Sequence, residues 1–171
     1  SHSAARTHLG CILRRIANIH SSVAVYLKQC RARTTKDLSS LNQQPDLSVI
    51  VPFYNEEDSI RPMHEAIIGA VGPLGILFEM IFVDDGSRDG TLERATEIAR
   101  GDPRVRVVKF RRNCGQTPAM AAGIEQARGK VLVTMDGDLQ NDPADIANFL
   151  AKIAEGFDIV VGWRHDRQDK L

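Results

Sequence analysis

The sequence predicts an α/β domain with a mostly parallel sheet and helices on both faces. From residue 47 onward, five short apolar or β-branched runs alternate with stretches of helical periodicity, and this alternation is typical of right-handed βαβ units. The composition agrees, because 171 residues with 43% hydrophobic and 26% charged residues are enough to bury one ordinary globular core.

Each element has its own signal in the sequence. The predicted strands cover residues 47–51, 77–83, 105–110, 131–135 and 157–161. The predicted helices between them cover residues 58–70, 90–100, 117–128 and 142–155. Two helix starts are explicit, Thr117 before Pro118 and Asp142 before Pro143, since a capping side chain followed by proline suits a first helical turn. Gly129 is expected to end the third helix.

The first 44 residues differ in charge from the rest of the chain. They carry seven Lys and Arg residues against a single acid, Asp37, so the remainder is net acidic. Apolar residues recur at helical spacing over 9–30 and predict an N-terminal helix, whereas the polar stretch 31–46 predicts a linker. This helix either packs on the domain or a partner, or lies on an anionic membrane surface. We therefore divide the chain into residues 1–44 and a domain of residues 45–171.

Composition excludes several classes of function. The 22 basic and 22 acidic residues cancel, so no nucleic-acid partner is expected. Three cysteines without a CxxC spacing and five scattered histidines argue against a disulfide framework or a zinc site and fit a reducing compartment. No run of 18 apolar residues is present to span a bilayer. We expect the chain to be a fragment, because it stops within a charged stretch at 164–171.

Three predicted strands end in polar residues that could form one site. The first strand is followed by PFYNEE at 52–57, the second by DDGS at 84–87 and the fourth by DGDLQ at 136–140. A doubly wound sheet brings the carboxyl ends of such strands to one edge, where ligands bind. Neither GxGxxG nor GxxxxGK[ST] occurs, so dinucleotide-binding and P-loop functions lose their main support.

Asp136 and Asp138 predict a divalent cation. Two carboxylates two residues apart after a buried strand repel each other unless a cation lies between them. Oxygen ligands suit Mg²⁺ or Mn²⁺, and Gln140 adds a carbonyl oxygen. An isolated DxD motif is more often a pair of solvated aspartates, but its position after an apolar strand favours the metal site.

Two further loops have alternative interpretations. Asp84 and Asp85 can accept hydrogen bonds from ribose hydroxyls or a base N–H, or the same loop forms an Asx-type turn in which Asp89 or Thr91 caps the next helix. The loop 111–116 (RRNCGQ) precedes a helix N-terminus and is either an anion site or a solvated basic loop. Arg164 and Arg167 are either phosphate ligands or part of a frayed end.

From residue 47 to 171 the chain resembles the GT-A-fold inverting glycosyltransferases, in the large family that contains dolichol-phosphate mannose synthase and bactoprenol glucosyltransferases. The matching strings, in order, are LSVIVPFYNEE, IFVDDGSRDGT, RRNCGQTPAMAAGI, VLVTMDGDLQNDPADI and VVGWRHDRQDKL. The RRNxGQ and DLQNDP portions resemble the polyprenyl-phosphate branch most. The resemblance implies metal-dependent transfer, with inversion, from a UDP- or GDP-linked sugar to a polyprenyl phosphate at the cytoplasmic face of a membrane.

The resemblance also implies roles for single residues. Those expected to contact the nucleotide, its base or its ribose are Pro52, Tyr54, Asn55, Glu56, Val83, Asp84, Asp85 and Gly115. Those expected to span the ribose and diphosphate are Asp136 and Gly137, and the implied metal ligands are Asp136, Asp138 and Gln140. The implied catalytic residues are Asp138 and Arg164, with Arg164 facing the sugar-phosphate. Gly137 and Cys114 stand where the family leads us to expect alanine and an aromatic residue.

Three other functions stay open from the sequence. The chain could bind a nucleotide sugar without turning it over, or transfer the sugar to a saccharide instead of a lipid. A nucleotidyltransferase shares the fold type and the metal-bound carboxylates, but usually has a glycine-rich loop after its first strand, and residues 52–57 contain no glycine. The sequence does not choose the sugar or the base, and self-association into a homo-oligomer is also open.

Overall fold

The computed structural model describes residues 44–162 and, for its backbone only, the segment 23–27. In chain order the strands are β1 Val23–Leu27, β2 Leu47–Phe53, β3 Phe78–Asp84, β4 Val105–Lys109, β5 Val131–Met135 and β6 Ile159–Val161. The α-helices are α1 Ile60–Val71, α2 Thr91–Gly101, α3 Gln116–Gln126 and α4 Ile146–Ala154. Short 3₁₀ turns lie at Gly72–Leu74 and Pro143–Asp145.

The described strands form one sheet in the order β4-β3-β2-β5-β1-β6. β2, β3, β4 and β5 are parallel to one another, whereas β1 runs antiparallel to both β5 and β6. The mostly parallel α/β sheet predicted from the sequence is therefore confirmed. In the β2–β3 register Phe53 lies opposite Asp84, so these two central strands end side by side.

The prediction of a helix over residues 9–30 is wrong for residues 23–27, which form strand β1. These residues read VAVYL, and a short apolar run rich in β-branched and aromatic residues fits a strand as well as a helix. Pairing with β5 and β6 decides the matter, because it satisfies the backbone on both sides of the strand. The rest of the predicted helix and residues 31–43 of the linker lie outside the described residues.

Two helix starts were predicted, and only one is right. Asp142 accepts a hydrogen bond from the Ala144 N–H (2.9 Å) and begins the turn that leads into α4. In contrast, α3 begins at Gln116 with Gly115 as its N-cap, so Thr117 lies inside the helix. Gly115 has φ of +95°, a value that glycine adopts at little cost, and this turn of the backbone starts the helix before Thr117.

The sheet separates two layers of core. On one face, alternate residues of β2 and β3 such as Val51 and Phe82 pack with α1, α2 and α4. On the other face, Ile50, Ile81 and Val83 pack with α3. This period-two alternation is expected of strands covered on both faces, and it directs the strand ends, rather than a sheet face, toward solvent.

The amino ends of the strands are held together by a buried carboxylate. Glu79 accepts hydrogen bonds from the Ser48 hydroxyl (2.7 Å) and the Arg128 backbone N–H (2.7 Å), and it pairs with the guanidinium groups of Arg128 and Arg106. Burial acts to raise the pKa of Glu79, but these hydrogen bonds and charges together lower it below its usual value. At this end of the strands the buried carboxylate of Glu79 is therefore well paired.

Candidate nucleotide and metal site

At the opposite edge, the loops that follow β2 and β3 are joined by hydrogen bonds. The Asn55 N–H donates to the Ser87 hydroxyl (3.0 Å), and the Arg88 N–H donates to the Asn55 side-chain oxygen (2.9 Å). The Glu56 N–H donates to the Thr91 hydroxyl (2.9 Å). Asn55 has φ of +55°, which asparagine tolerates better than most residues. These bonds fix two of the three predicted polar segments to each other.

Glu56 lies against the third segment, the turn after β5. A Cβ on Gly137 would be 2.5 Å from Glu56 Oε2 and equally close to the Phe53 ring, so the glycine leaves the space that the carboxyl group occupies. Burial, together with the charges of Asp138 and Asp136, raises the pKa of Glu56 to about 7. Glu56 Oε2 is buried and has no hydrogen-bond partner among the described residues. The structure therefore brings three predicted carboxylates to one place.

The turn itself presents its aspartates in different ways. Asp136 accepts a hydrogen bond from the side-chain amide of Gln116, whereas Asp138 is exposed and accepts one from the backbone N–H of Gln140 (3.0 Å). Leu139, between Asp138 and Gln140, has φ of +62° and is 42% exposed. Such a conformation is unfavourable for leucine. It turns the chain so that the backbone N–H of Gln140 can hydrogen-bond to the carboxylate of Asp138.

The oxygen-rich residues at this edge fit a hard divalent cation. Within the described residues no group of three or more His, Cys, Asp or Glu side chains is arranged to hold a metal ion by itself, but Mg²⁺ and Mn²⁺ are commonly held by one or two carboxylates together with phosphate oxygens and water. The buried, unpartnered oxygen of Glu56 beside Asp136 and Asp138 is the observation that supports the fit. A cation here would offset the repulsion among the three carboxylates.

Asp84 and Asp85, predicted to hold the base and ribose, are both buried, at 2% and 3% exposure. The two oxygens of Asp85 accept the backbone N–H groups of Cys114 and Gly115, each at 2.8 Å. Asp84 Oδ1 accepts the Ser87 N–H (3.2 Å), and its Oδ2 has no hydrogen-bond partner among the described residues. Asp85 thus holds the loop before α3, and a contact of either residue with ribose stays a prediction.

The turn at the start of α2 agrees with the alternative kept for the same loop. Asp89 Oδ1 accepts hydrogen bonds from the N–H (3.0 Å) and hydroxyl (2.6 Å) of Thr91, which confirms the Asx-type turn. These bonds counteract burial and lower the pKa of Asp89. The Asx-type turn therefore precedes α2, whose N-cap is Gly90, while a role of Asp84 or Asp85 in ribose binding stays a prediction.

The other predicted residues have simpler positions. Pro52 and Val83 are buried within β2 and β3, and Tyr54, directly after β2, is 39% exposed. Gly115 begins α3 beside Asp85. Arg164 lies outside the described residues.

Gln116 was not predicted as a site residue, although its sequence position held a signal. It is the last residue of RRNCGQ and the first of α3, at the edge where the polar segments were expected to meet. Its side chain contacts Asp136, one of the predicted metal ligands.

The fold and this edge define a doubly wound α/β protein in which a group of carboxylates, suited to a cation and a phosphorylated ligand, lies at the carboxyl ends of the strands. Residues 48–171 match the family described as "Glycosyl transferase family 2". The chain belongs to this family.

Curated relatives share the same portion of sequence. The chain is 45% identical over 131 residues to a dodecaprenyl-phosphate galacturonate synthase from Rhizobium johnstonii, which covers 75% of this chain and 39% of that protein. It is 41% identical over 128 residues to an undecaprenyl-phosphate 4-deoxy-4-formamido-L-arabinose transferase from Pectobacterium carotovorum, which covers 74% and 39%. The chain therefore spans about 39% of the length of these relatives.

Solved structures share the fold. A mannosyltransferase from Pyrobaculum calidifontis, in complex with GDP-Man and Mn²⁺, aligns with a TM-score of 0.57 and 23% identity, over 89% of this chain and 42% of that one. Residues 1–349 of S. aureus TarS in complex with UDP-GlcNAc align with a TM-score of 0.52 and 26% identity, over 64% and 31%. The GT-A type of fold expected from the sequence agrees with these similarities.

Proposed function

We propose that this chain is the donor-binding part of a metal-dependent glycosyltransferase that moves a sugar from a nucleoside diphosphate to a polyprenyl phosphate, with inversion. The observation that carries the proposal is the meeting of Glu56, Asp136 and Asp138 at the carboxyl ends of β2 and β5, with a buried carboxyl oxygen of Glu56 left unpartnered. The names of the relatives from Rhizobium and Pectobacterium support a polyprenyl-phosphate acceptor.

In this mechanism the acceptor oxygen displaces the nucleoside diphosphate at the anomeric carbon in one step. A bound Mg²⁺ or Mn²⁺ would stabilise the negative charge that develops on the departing diphosphate. Asp136, Asp138 and Gln140 are the residues we assign to hold that ion, and Glu56 faces them from the β2 loop. A lipid phosphate is already an anion at neutral pH, so the protein needs to position it rather than deprotonate it.

The nucleotide would lie along the ends of β2 and β3. We assign its contacts to Pro52, Tyr54, Asn55, Asp84 and Asp85. The exposed ring of Tyr54 (39%) and the fixed β2 loop support this assignment, because a rigid loop lowers the entropy lost on binding. Val83, Gly115 and Gly137 complete the donor side, and Arg164 is assigned to the sugar-phosphate.

The remaining assignments concern the place of the reaction. We propose that it occurs at the cytoplasmic face of a membrane, where a polyprenyl phosphate would be met. The division into residues 1–44 and 45–171 stays a prediction, and residues 23–27 pair with strands of the later part. No helix among the described residues is long and apolar enough to cross a bilayer. Self-association is a further open question, as are a saccharide acceptor and a role in binding alone.

Calorimetric titration with UDP and with GDP, each in Mn²⁺ and in EDTA, tests the donor site. We expect one nucleotide to bind in a metal-dependent manner, and Asp138→Ala to remove that dependence while the fold remains intact. Asp158→Ala, at an exposed position after α4, is the matched control. If the affinity of Asp138→Ala equals that of the original chain, the metal assignment is wrong. If transfer to polyprenyl phosphate is absent although the nucleotide binds, binding alone becomes the better account.

A further inference from the structure

A continuous series of contacts connects the end of β3 with the turn after β5. The buried carboxylate of Asp85 accepts the N–H groups of Cys114 and Gly115, each at 2.8 Å. The next residue, Gln116, is the first of α3 and donates its side-chain amide to Asp136. The polar segment after β3 is thus connected by hydrogen bonds, through the consecutive residues 114–116, to the polar segment after β5.

The loop carrying Gln116 is also fixed by close packing. Gly86 has φ of +71°, and a Cβ there would lie 2.6 Å from the backbone nitrogen of Asn113. The loops after β3 and β4 therefore touch through their backbones, with no room for a side chain between them. Asp85 and Gly86 both fix residues 113–115. The position of the Gln116 backbone therefore does not depend on the contact of its side chain with Asp136.

We propose that Gln116 is a positioning residue for the metal site: its amide orients the carboxylate of Asp136, and the bonds of Asp85 to Cys114 and Gly115 hold Gln116 in place. This inference rests on the proposed function, because it concerns the group that Asp136 and Asp138 are proposed to bind. A side-chain amide suits the task, since it donates to one carboxylate oxygen without adding a charge that would compete with the cation.

The physical benefit is a carboxylate that is already oriented. Asp136 lies near Glu56, whose carboxyl group faces the same turn, and the amide of Gln116 helps to hold the Asp136 carboxylate in one orientation beside these like charges. Residues that hydrogen-bond to a metal ligand typically change metal affinity by about 10- to 100-fold when they are replaced. We expect the low end of this range, about tenfold, because Gln116 is exposed to solvent.

The test compares Gln116→Met with Gln126→Met. Methionine keeps approximate length and helix propensity but has no N–H donor. Gln126 is the last residue of the same helix, exposed and at the opposite edge of the sheet, so it controls for loss of a glutamine from α3. The readout is the ratio of nucleotide affinities in Mn²⁺ and in EDTA, measured by calorimetry with UDP and GDP.

We expect Gln116→Met to reduce this ratio about tenfold, with the EDTA affinity and the urea midpoint unchanged, and Gln126→Met to match the original chain. An unchanged ratio in Gln116→Met would overturn the positioning role and leave the proposed function standing. Equal losses in Mn²⁺ and EDTA would also overturn it, because they would make Gln116 a support of the nucleotide loop. If the original chain binds nucleotide without any Mn²⁺ dependence, the metal assignment fails and the role of Gln116 fails with it.

Discussion

Replacing Glu56 by glutamine tests the electrostatics of the proposed site without a ligand. Burial raises the pKa of Glu56 from 4.5 to about 7, with Asp138 and Asp136 adding to the effect. Gln keeps the shape of the side chain and removes its charge. If the ionised carboxyl group of Glu56 destabilises the folded state because other carboxylates are near it, the substitution should stabilise the protein at pH values where Glu56 is ionised.

The sign and size follow from proton linkage. A carboxyl group whose pKa is higher in the folded state binds more protons there, so the free energy of unfolding of the original chain falls as pH rises from about 4.5 to 7. A shift from 4.5 to about 7 corresponds to about 3 kcal/mol at most. Because Glu56 is only partly buried, solvent screening reduces this, and we expect about 1–3 kcal/mol.

The assay is urea denaturation at pH 5 and pH 8 in EDTA. Glu56→Gln should be more stable than the original chain at pH 8, and the difference should fall to about a quarter to a half of that value at pH 5, which is just above the ordinary pKa of 4.5. Glu125→Gln, at an exposed position on α3, sets the baseline for a Glu-to-Gln change. A difference that is the same at both pH values would refute the argument that a buried carboxyl group faces the two aspartates. Adding Mn²⁺ at pH 8 should narrow the gap, because the cation stabilises the ionised form.

Two further substitutions test the supports of the site. Gly86→Ala should lower the free energy of unfolding by about 2 kcal/mol or more, because its φ is +71° and the new Cβ would overlap the backbone of the β4 loop; urea denaturation measures this, and Gly69→Ala, where a Cβ has open space, should not be destabilised. Glu79→Ala should cost about 2–3 kcal/mol by leaving the buried Ser48 hydroxyl and the Arg128 backbone N–H without their acceptor. Glu155→Ala breaks only an exposed pair and should change stability by less than about 0.5 kcal/mol. An unchanged nucleotide affinity in Glu79→Ala would show that Glu79 stabilises the fold without contributing to the proposed site. A loss of stability as small as that of Glu155→Ala would contradict this structural role of Glu79.

The parallel part of the fold could be predicted because its signal is local. The strands β2, β3 and β5 are mostly apolar runs, as expected of strands buried on both faces, whereas β4 reads VRVVK and is only partly buried. The predicted bounds of all four strands are within about two residues of those observed. Strand β1 was missed because VAVYL carries no local information about its partners. Its place between β5 and β6 depends on pairing with residues more than 100 positions away.

The site divides in the same way. The meeting of the polar strand ends follows from topology, so the order of strands and helices along the chain was enough to expect Glu56, Asp136 and Asp138 near one another. The contact of Gln116 with Asp136, and the space that Gly137 leaves for Glu56, depend on the register of strands and on the first residue of α3. The sequence prediction placed that helix start at Thr117, and it therefore did not include Gln116, whose side chain contacts Asp136 in the turn after β5.

The two ends of the sheet hold glutamates, Glu79 buried and Glu56 partly buried, whose pKa values are shifted in opposite directions. At the amino end, Glu79 receives hydrogen bonds from Ser48 and Arg128, and its pKa is lowered. At the carboxyl end, Glu56 faces Asp138 and Asp136, keeps an unpartnered oxygen, and its pKa is raised. A fold optimised only for stability would pair both carboxylates, since a buried unpaired charge is costly. Glu56 retains this cost at the carboxyl ends of the strands, which is where, in the proposed function, a cation and a diphosphate would supply the missing partners.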